Sequence, residues 1–174
     1  MNFSANTPNQ VWVSDVTYFK IDNKIQYICA ILDLYSRKVI AYKTSQKHST
    51  QLITSTFNLA YAERKPENGL IFHSDRGTQY TSHAFQKLLR TFHIKQSFSP
   101  SGRPHHNAVM ESFFSSMQKE ELYRINYHSV GEFKERIKKY IEFYNIERPH
   151  TTLAYKSPNT YERLFYDKQD QNAN

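Results

Sequence analysis

Three apolar, β-rich runs separated by two short turn signals constrain this chain most. Val11–Lys20 alternates and is rich in β-branched and aromatic residues, so it reads as a strand. Asp22-Asn23 is a hairpin signal, and Ile25–Leu34 comes next as an almost wholly apolar second strand. Ser36-Arg37 turns the chain again into Lys38–Thr44. A chain that opens with three antiparallel strands is committed to a sheet, and its later segments must cover the two faces.

The covering elements announce themselves by a change of period. From Ser49, the residues Leu52, Ile53, Phe57, Leu59 and Ala60 fall at helical spacing, and Pro66 stops that helix. Leu70–His73 is a short fourth strand, Ala84–Phe92 a helix, and Ile94–Phe98 a fifth strand that runs into a loop, Ser99 to Pro104. Asn107 can cap a helix running to about Tyr123. Ser129-Val130-Gly131-Glu132 has capping-box spacing and opens another, with Phe133, Ile137, Ile141 and Tyr144 as its buried stripe. A short helix over Tyr161–Tyr166 is expected before the tail frays. The order βββ-α-β-α-β-α-α predicts an α/β fold, a five-stranded mixed sheet flanked by helices. The expected organisation is a lead-in linker (1–10), a single core domain (11–155) and a partly disordered C-terminal extension (156–174).

Three acids stand where carboxylates are costly or precisely aimed. Asp15 interrupts the first strand, where Asp is disfavoured, and shares its parity with Val11, Val13 and Thr17. Asp75 comes after the apolar run Leu70-Ile71-Phe72 and precedes Gly77, at the end of a strand. Glu111 lies near the start of a helix. Taken singly, each has an ordinary reading: an edge-strand acid, a turn acid, a helix-surface acid. Taken together, they occupy three rigid supports that can converge on one point. Ionised carboxylates about 4 Å apart repel by roughly 4 kcal/mol per pair at an effective dielectric of 20, so such a cluster calls for cations. Oxygen-only ligands favour Mg²⁺ or Mn²⁺, and two such ions suit in-line phosphoryl displacement. Asp33, by contrast, reads as a strand-ending acid and His73 as a packed or hydrogen-bonded histidine.

Charge points to the substrate. The net charge is +7, and the excess falls in residues 1–100, with 12 Lys/Arg against 6 Asp/Glu. A polyanionic partner fits this distribution. Arg76, Arg103, Lys119 and Arg148 could engage phosphates, and Ser74, Thr78, Gln79 and Asn107 could donate hydrogen bonds. Helical spacing puts Gln118 on nearly the same face as Glu111. The single cysteine, Cys29, excludes a disulfide framework, and no apolar run is long enough to span a bilayer.

Four ordered motifs carry a family resemblance over nearly the whole chain. They are Val11-Trp12-Val13-Ser14-Asp15-Val16-Thr17-Tyr18, His73-Ser74-Asp75-Arg76-Gly77-Thr78-Gln79-Tyr80, Asn107-Ala108-Val109-Met110-Glu111-Ser112-Phe113-Phe114 and Tyr144-Asn145-Ile146-Glu147-Arg148-Pro149-His150-Thr151-Thr152-Leu153. They resemble the integrase catalytic core of bacterial insertion-sequence transposases, the DDE group related to retroviral integrases. The resemblance implies a ribonuclease-H-like fold, Asp15, Asp75 and Glu111 as the catalytic and metal-binding triad, and Mg²⁺ or Mn²⁺ as cofactor. It implies metal-dependent cleavage of transposon ends and strand transfer by direct transesterification, on DNA, by a homodimer or higher multimer in the bacterial cytoplasm at the nucleoid, with no membrane partner. DNA contacts are expected from Arg76, Arg103, His105, Asn107, Gln118, Lys119, Arg148 and His150.

The chain departs from the family pattern at His105-His106, where Tyr-Asp is usual, and at Gln118, where Lys is usual. Both lie where transposon-end DNA would be gripped, which motivates an alternative: a decayed, non-catalytic DNA-binding or assembly remnant. A ribonuclease acting on RNA–DNA hybrids would use the same metal chemistry, but the Tyr144–Leu153 motif argues against it. Family members also carry N-terminal helix-turn-helix segments that this sequence lacks. It therefore reads as an excised domain or truncated frame that binds DNA weakly and with little specificity.

Overall fold

A computed structural model describes residues 4–99 and 108–172. The first three strands are β1 (Val11–Ile21), β2 (Lys24–Asp33) and β3 (Val39–Ser45), paired antiparallel in sequence order. The Asp22-Asn23 turn has φ of 45° and 60°, the left-handed pair that matches a two-residue hairpin to strand twist. Helix α1 (Thr50–Arg64) then crosses the sheet, capped by Ser49, whose side chain accepts from the Leu52 amide. It returns the chain to β4 (Ile71–Ser74), which pairs parallel to β1; α2 (His83–Thr91) leads to β5 (Lys95–Phe98), parallel to β4. The strand order is β3-β2-β1-β4-β5, a five-stranded mixed sheet as the sequence predicts.

Strand alternation sends side chains to two separate cores. Trp12, Ile31, Ile53, Phe57, Phe72 and Phe85 meet on the α1/α2 face. Val11, Val13, Ala30 and Leu32 meet Met110 and Phe113 of α3 (Ala108–Met117), and Phe133 and Ile137 of α4 (Val130–Ile146), on the other. Full burial of each such side chain contributes about 1.5–3 kcal/mol. Leu59 departs from the predicted stripe of α1 and lies on its solvent face, 46% exposed. The capping box at α4 forms with a one-residue variation: Ser129 Oγ accepts from the Glu132 amide, while Glu132 Oε2 accepts from the His128 amide.

Two elements differ from the sequence expectation. The helix carrying Glu111 does not continue as α-helix to Tyr123; from Gln118 to Leu122 it widens into a π-helical turn. There Glu120 and Glu121 pair with Arg148 and Arg136. The tail helix, expected over Tyr161–Tyr166, is α5 and runs Pro158–Asn172. Its first turns are fixed by Glu162, which is buried and paired with Arg64, and by Tyr161 and Phe165 against Tyr35. No single-sequence period records such long-range contacts. No helix among the described residues is long and apolar enough to cross a membrane.

A carboxylate-bearing sheet face

Asp15 lies in the centre of the sheet, on the strand flanked by β2 and β4. Its parity with Val11 and Val13 places it on the face covered by α3 and α4. The parallel register pairs Val13 with His73; carried two residues on, it sets Asp75 level with Asp15, just past the end of β4. Glu111 comes from the first turn of α3, the helix that packs across β1 on this face. Three different supports thus present the three acids to one side of one strand pair.

Their mutual influence registers on Asp15. Burial pushes its carboxyl up to about 6, and the charges of Asp75 and Glu111 push in the same direction, against the stabilising hydrogen bond from the Val16 amide at 2.7 Å. Asp75 is exposed, and its Oδ1 accepts the Gly77 amide at 2.9 Å, a closed Asx turn. Glu111 is exposed on α3. The charges of Asp75 and Glu111 both reach Asp15, yet among the described residues no three His, Cys, Asp or Glu side chains are gathered to ligand distance of a common point. Asp15 and Asp75 each accept from a nearby backbone amide, Val16 in mid-strand and Gly77 past the end of β4.

Behind Asp15, on the opposite sheet face, Ser14 Oγ bonds Tyr80 Oη at 2.8 Å and donates to the Ala30 carbonyl at 3.0 Å. The Cys29 thiol is buried beside them and pushed up to about 11 by that burial. This packed, polar-satisfied layer holds β1 rigid under the acid.

The helper residues divide. Arg76 is exposed, with its guanidinium 6.0 Å from the Phe98 ring centroid. Gln118 Nε2 donates to Thr17 Oγ1 at 3.4 Å, which brings it to Asp15's own face; Lys119 is exposed beside it. Arg148 is held by Glu120 at 2.6 Å and by Ser116, and His150 packs edge-on to Tyr144. Burial, reinforced by Arg148, pushes the His150 imidazole down to about 4. Arg103, His105 and Asn107 lie outside the described residues. Ser74 donates to the Asp75 carbonyl, Gln79 reaches the His48 carbonyl at 3.5 Å, and Thr78 donates to Gln79 at 3.1 Å. His73 is engaged by Ser97 and Ser99, as its strand position suggests, and Asp33 ends β2 with its oxygens bound to backbone amides. Sequence reading missed the Thr17–Gln118 contact, although both signals were present: Thr17 shares the parity of Asp15, and Gln118 the face of Glu111.

Comparison with known proteins matches residues 5–104 and 92–158 to two integrase core domain models. The transposase for insertion sequence element IS904 of Lactococcus lactis subsp. lactis (strain IL1403) is 36% identical over 162 residues, covering 92% of this chain and 64% of that protein. The putative transposase InsK for insertion sequence element IS150 of Escherichia coli (strain K12) is 32% identical over 165 residues, covering 95% and 58%. This chain therefore spans about three-fifths of the length of these relatives. Among solved structures, the HTLV-2 integrase catalytic core domain in complex with magnesium, in a trimeric form, superposes with a TM-score of 0.71 at 18% identity, over 91% of this chain and 99% of that one. The BIV integrase catalytic core domain gives 0.66 at 14%, over 95% and 99%. The fold is ribonuclease-H-like, as these retroviral integrase cores are.

Proposed function

Because the chain belongs to the integrase core domain family, we propose that it is the catalytic core of a bacterial insertion-sequence transposase. In this reading it cuts DNA at the element's ends and joins the freed 3′-hydroxyls to new phosphodiesters, using Mg²⁺ or Mn²⁺ held by Asp15, Asp75 and Glu111. The observation that carries the reading is Asp15: a central-strand carboxylate, level with Asp75 just past the end of the next strand, raised to about 6 by burial and by the charges of Asp75 and Glu111.

The donor set fits an oxygen-preferring divalent ion. All three groups are carboxylates, and two of them, Asp75 and Glu111, are exposed side chains that rotate without disturbing a core. When bound, such ions neutralise charge on the attacking and leaving oxygens of a phosphodiester. The rest is the chain's own work. The Val16 amide fixes one oxygen of Asp15, so that carboxylate is oriented before any ligand arrives. The Gly77 amide does the same for Asp75. Arg76, braced on Phe98, and Gln118, braced on Thr17, flank the acids, where they can hold DNA phosphates and orient the scissile group. Lys119 adds charge beside them. Arg148 and His150, engaged with Glu120 and Tyr144, shape the floor on which α3 rests.

DNA is the proposed substrate and partner, with the chain acting as a homodimer or higher multimer on paired ends, in the cytoplasm at the nucleoid. The non-catalytic alternative rests on the resemblance, in which a lysine is usual where this chain has Gln118. One experiment separates the two readings. The chain is incubated with duplex DNA in Mn²⁺, beside Asp75→Asn, and metal binding is followed by calorimetry. Mn²⁺-dependent nicking that Asp75→Asn abolishes, with an unchanged melting transition, is the expected result. Equal nicking by both proteins would remove the triad. Absence of both nicking and Mn²⁺ binding in the wild type would leave the remnant.

A further inference from the structure

The β1–β2 hairpin outruns the rest of the sheet. β4 pairs with β1 over Val11–Val13, and β3 accompanies β2 only as far as Tyr27, so the end of the hairpin stands on its own two strands. Its faces are treated differently. On the face of Asp15, Phe19 stacks on Phe133 of α4 and meets Tyr127 edge-on. On the opposite face the core beneath α1 and α2 stops at Val16 and Tyr27. Beyond it Tyr18 and Ile25 are 64% and 42% exposed.

Single exposed apolar side chains are ordinary. Here the aromatic ones are aligned. Tyr18 lies across the strand pair from Tyr27, with ring centroids 6.3 Å apart, and Tyr27 is stacked on His48 at 5.1 Å with 20° between the ring planes. The two outer members of this row, Tyr18 and His48, are exposed. Positive charge edges it. Lys20 shares the parity of Tyr18, and Lys43 lies beside Cys29 on the face of Tyr27; Lys24 and Lys47 stand at the hairpin turn and next to His48. All four lysines are exposed, and the ion pairs among the described residues go to Lys38 and Lys139 instead. Over residues 16–29 and 42–51 the one acid set against them is Asp22.

We infer that this row is a platform for unpaired DNA bases, which stack on Tyr18 and His48 while Lys20 and Lys43 hold the phosphates between them. Aromatic rings accept the face of any base and lysines follow the backbone, a combination that selects single strands over a duplex whose bases are already stacked. Tyr18 is three residues beyond Asp15 along β1, about 10 Å at about 3.3 Å per residue. The Gln79 amide reaches the His48 carbonyl at 3.5 Å and ties the other end of the row to the Asp75 loop. The inference rests on the proposed function and extends it: a duplex cut beside the acids frays at the cut, and its freed bases need a surface to stack on.

The test uses the whole chain in EDTA, where metal chemistry is silent. Fluorescein-labelled oligothymidylate, an abasic strand of the same length and a duplex are titrated by anisotropy across a salt series. The wild type should prefer oligothymidylate to the abasic strand by about tenfold. Tyr18→Thr keeps a strand-forming residue and removes the ring; it should weaken oligothymidylate binding by about tenfold with an unchanged salt slope. Tyr18→Trp should restore the affinity, and its emission should be quenched on binding. Lys43→Gln should weaken both single strands alike and lower the slope by about 0.7. Equal wild-type affinity for the two single strands, or no effect of Tyr18→Thr, overturns the platform. A duplex weakened by Tyr18→Thr as much as oligothymidylate also overturns it, as does loss of a dimer in sedimentation with oligothymidylate binding intact, which would give this face to a second copy. The functional reading fails separately. Tyr18-dependent stacking in a chain that never nicks DNA in Mn²⁺ keeps the platform and overturns the transposase; nicking without Tyr18-dependent stacking does the reverse.

Discussion

The Gly77 amide donates to Asp75 Oδ1 at 2.9 Å, and a Cβ built on Gly77 would stand 3.0 Å from that same oxygen. Glycine is needed here for room rather than for backbone freedom, because the positive-φ glycine of the described chain is Gly69 and not Gly77. Gly77→Ala should therefore push the Asp75 carboxylate aside by a few tenths of an ångström without straining the turn. The expected result is weaker Mn²⁺ binding by calorimetry and slower DNA cleavage, with stability changed by less than about 1 kcal/mol. A variant that binds metal normally would show that the Asx turn does not position Asp75.

Asp15 carries a stability cost with a definite pH sign. Its folded carboxyl titrates at about 6, above the ordinary 3.8, so burial favours the protonated form. A raised acid stabilises the fold at low pH and loses that contribution as pH rises through about 6. The difference corresponds to up to about 3 kcal/mol at neutral pH. Asp15→Asn should melt higher than wild type at pH 7.5 and coincide with it below pH 4, and Mn²⁺ should narrow the neutral-pH gap by stabilising only the wild type. A variant less stable than wild type at pH 7.5 would show that the carboxylate is satisfied by contacts within the fold.

Much of this architecture was legible because its signals are local. The alternation of Val11–Lys20 fixed both the strand and the face on which Asp15 lies, and Asp22-Asn23 fixed the hairpin. The mixed sheet is set by where the period changes. The illegible parts depend on partners distant in sequence. Glu162 reads as a surface acid until Arg64, 98 residues away, is placed against it. The π-helical turn at Gln118 has no local signal, and its Glu120 and Glu121 meet Arg148 and Arg136, which belong to a later helix and its end. Arg37 reads only as part of a turn, and nothing local tells that Tyr144 and His150, more than 100 residues on, line the same cavity.

The Glu162 pair locks α5 to the sheet. Arg64 holds both carboxylate oxygens, at 2.6 and 3.0 Å, Ser36 donates at 2.8 Å, and Lys38 stands at 3.6 Å. Burial alone would raise this carboxyl, but Arg64 outweighs it and holds it below the ordinary value. Its stabilisation is therefore present above pH 4.5 and lost as pH falls through the folded value. Glu162→Gln leaves Arg64 buried without a counter-charge, which costs about 3 kcal/mol, or about 6–12 °C in Tm for a chain of this size. Arg64→Met in the same background should recover part of the loss. The penalty should fade in melts below pH 4, and a pH-independent penalty would assign the effect to packing alone.

Gln118 links the end of the Glu111-bearing helical segment to the strand that carries Asp15. Its amide donates to Thr17 Oγ1 at 3.4 Å, two residues along β1 from Asp15, so the side chain reaches the acid-bearing face. The neighbouring acids Glu120 and Glu121 are already paired with Arg148 and Arg136 and would not neutralise a new cation there. Gln118→Lys should strengthen duplex DNA binding about twofold to fivefold at low salt and steepen the salt slope by about 1, the signature of one added phosphate contact. The gain should shrink as salt screens it. The same ammonium should draw the Asp15 carboxyl down from about 6, measurable by carboxyl ¹³C titration, because a nearby opposite charge favours the ionised form. A shift at Asp15 without any change in DNA affinity would place Gln118 beside the acids but away from the duplex; no change in either would detach the π-helical turn from the site altogether.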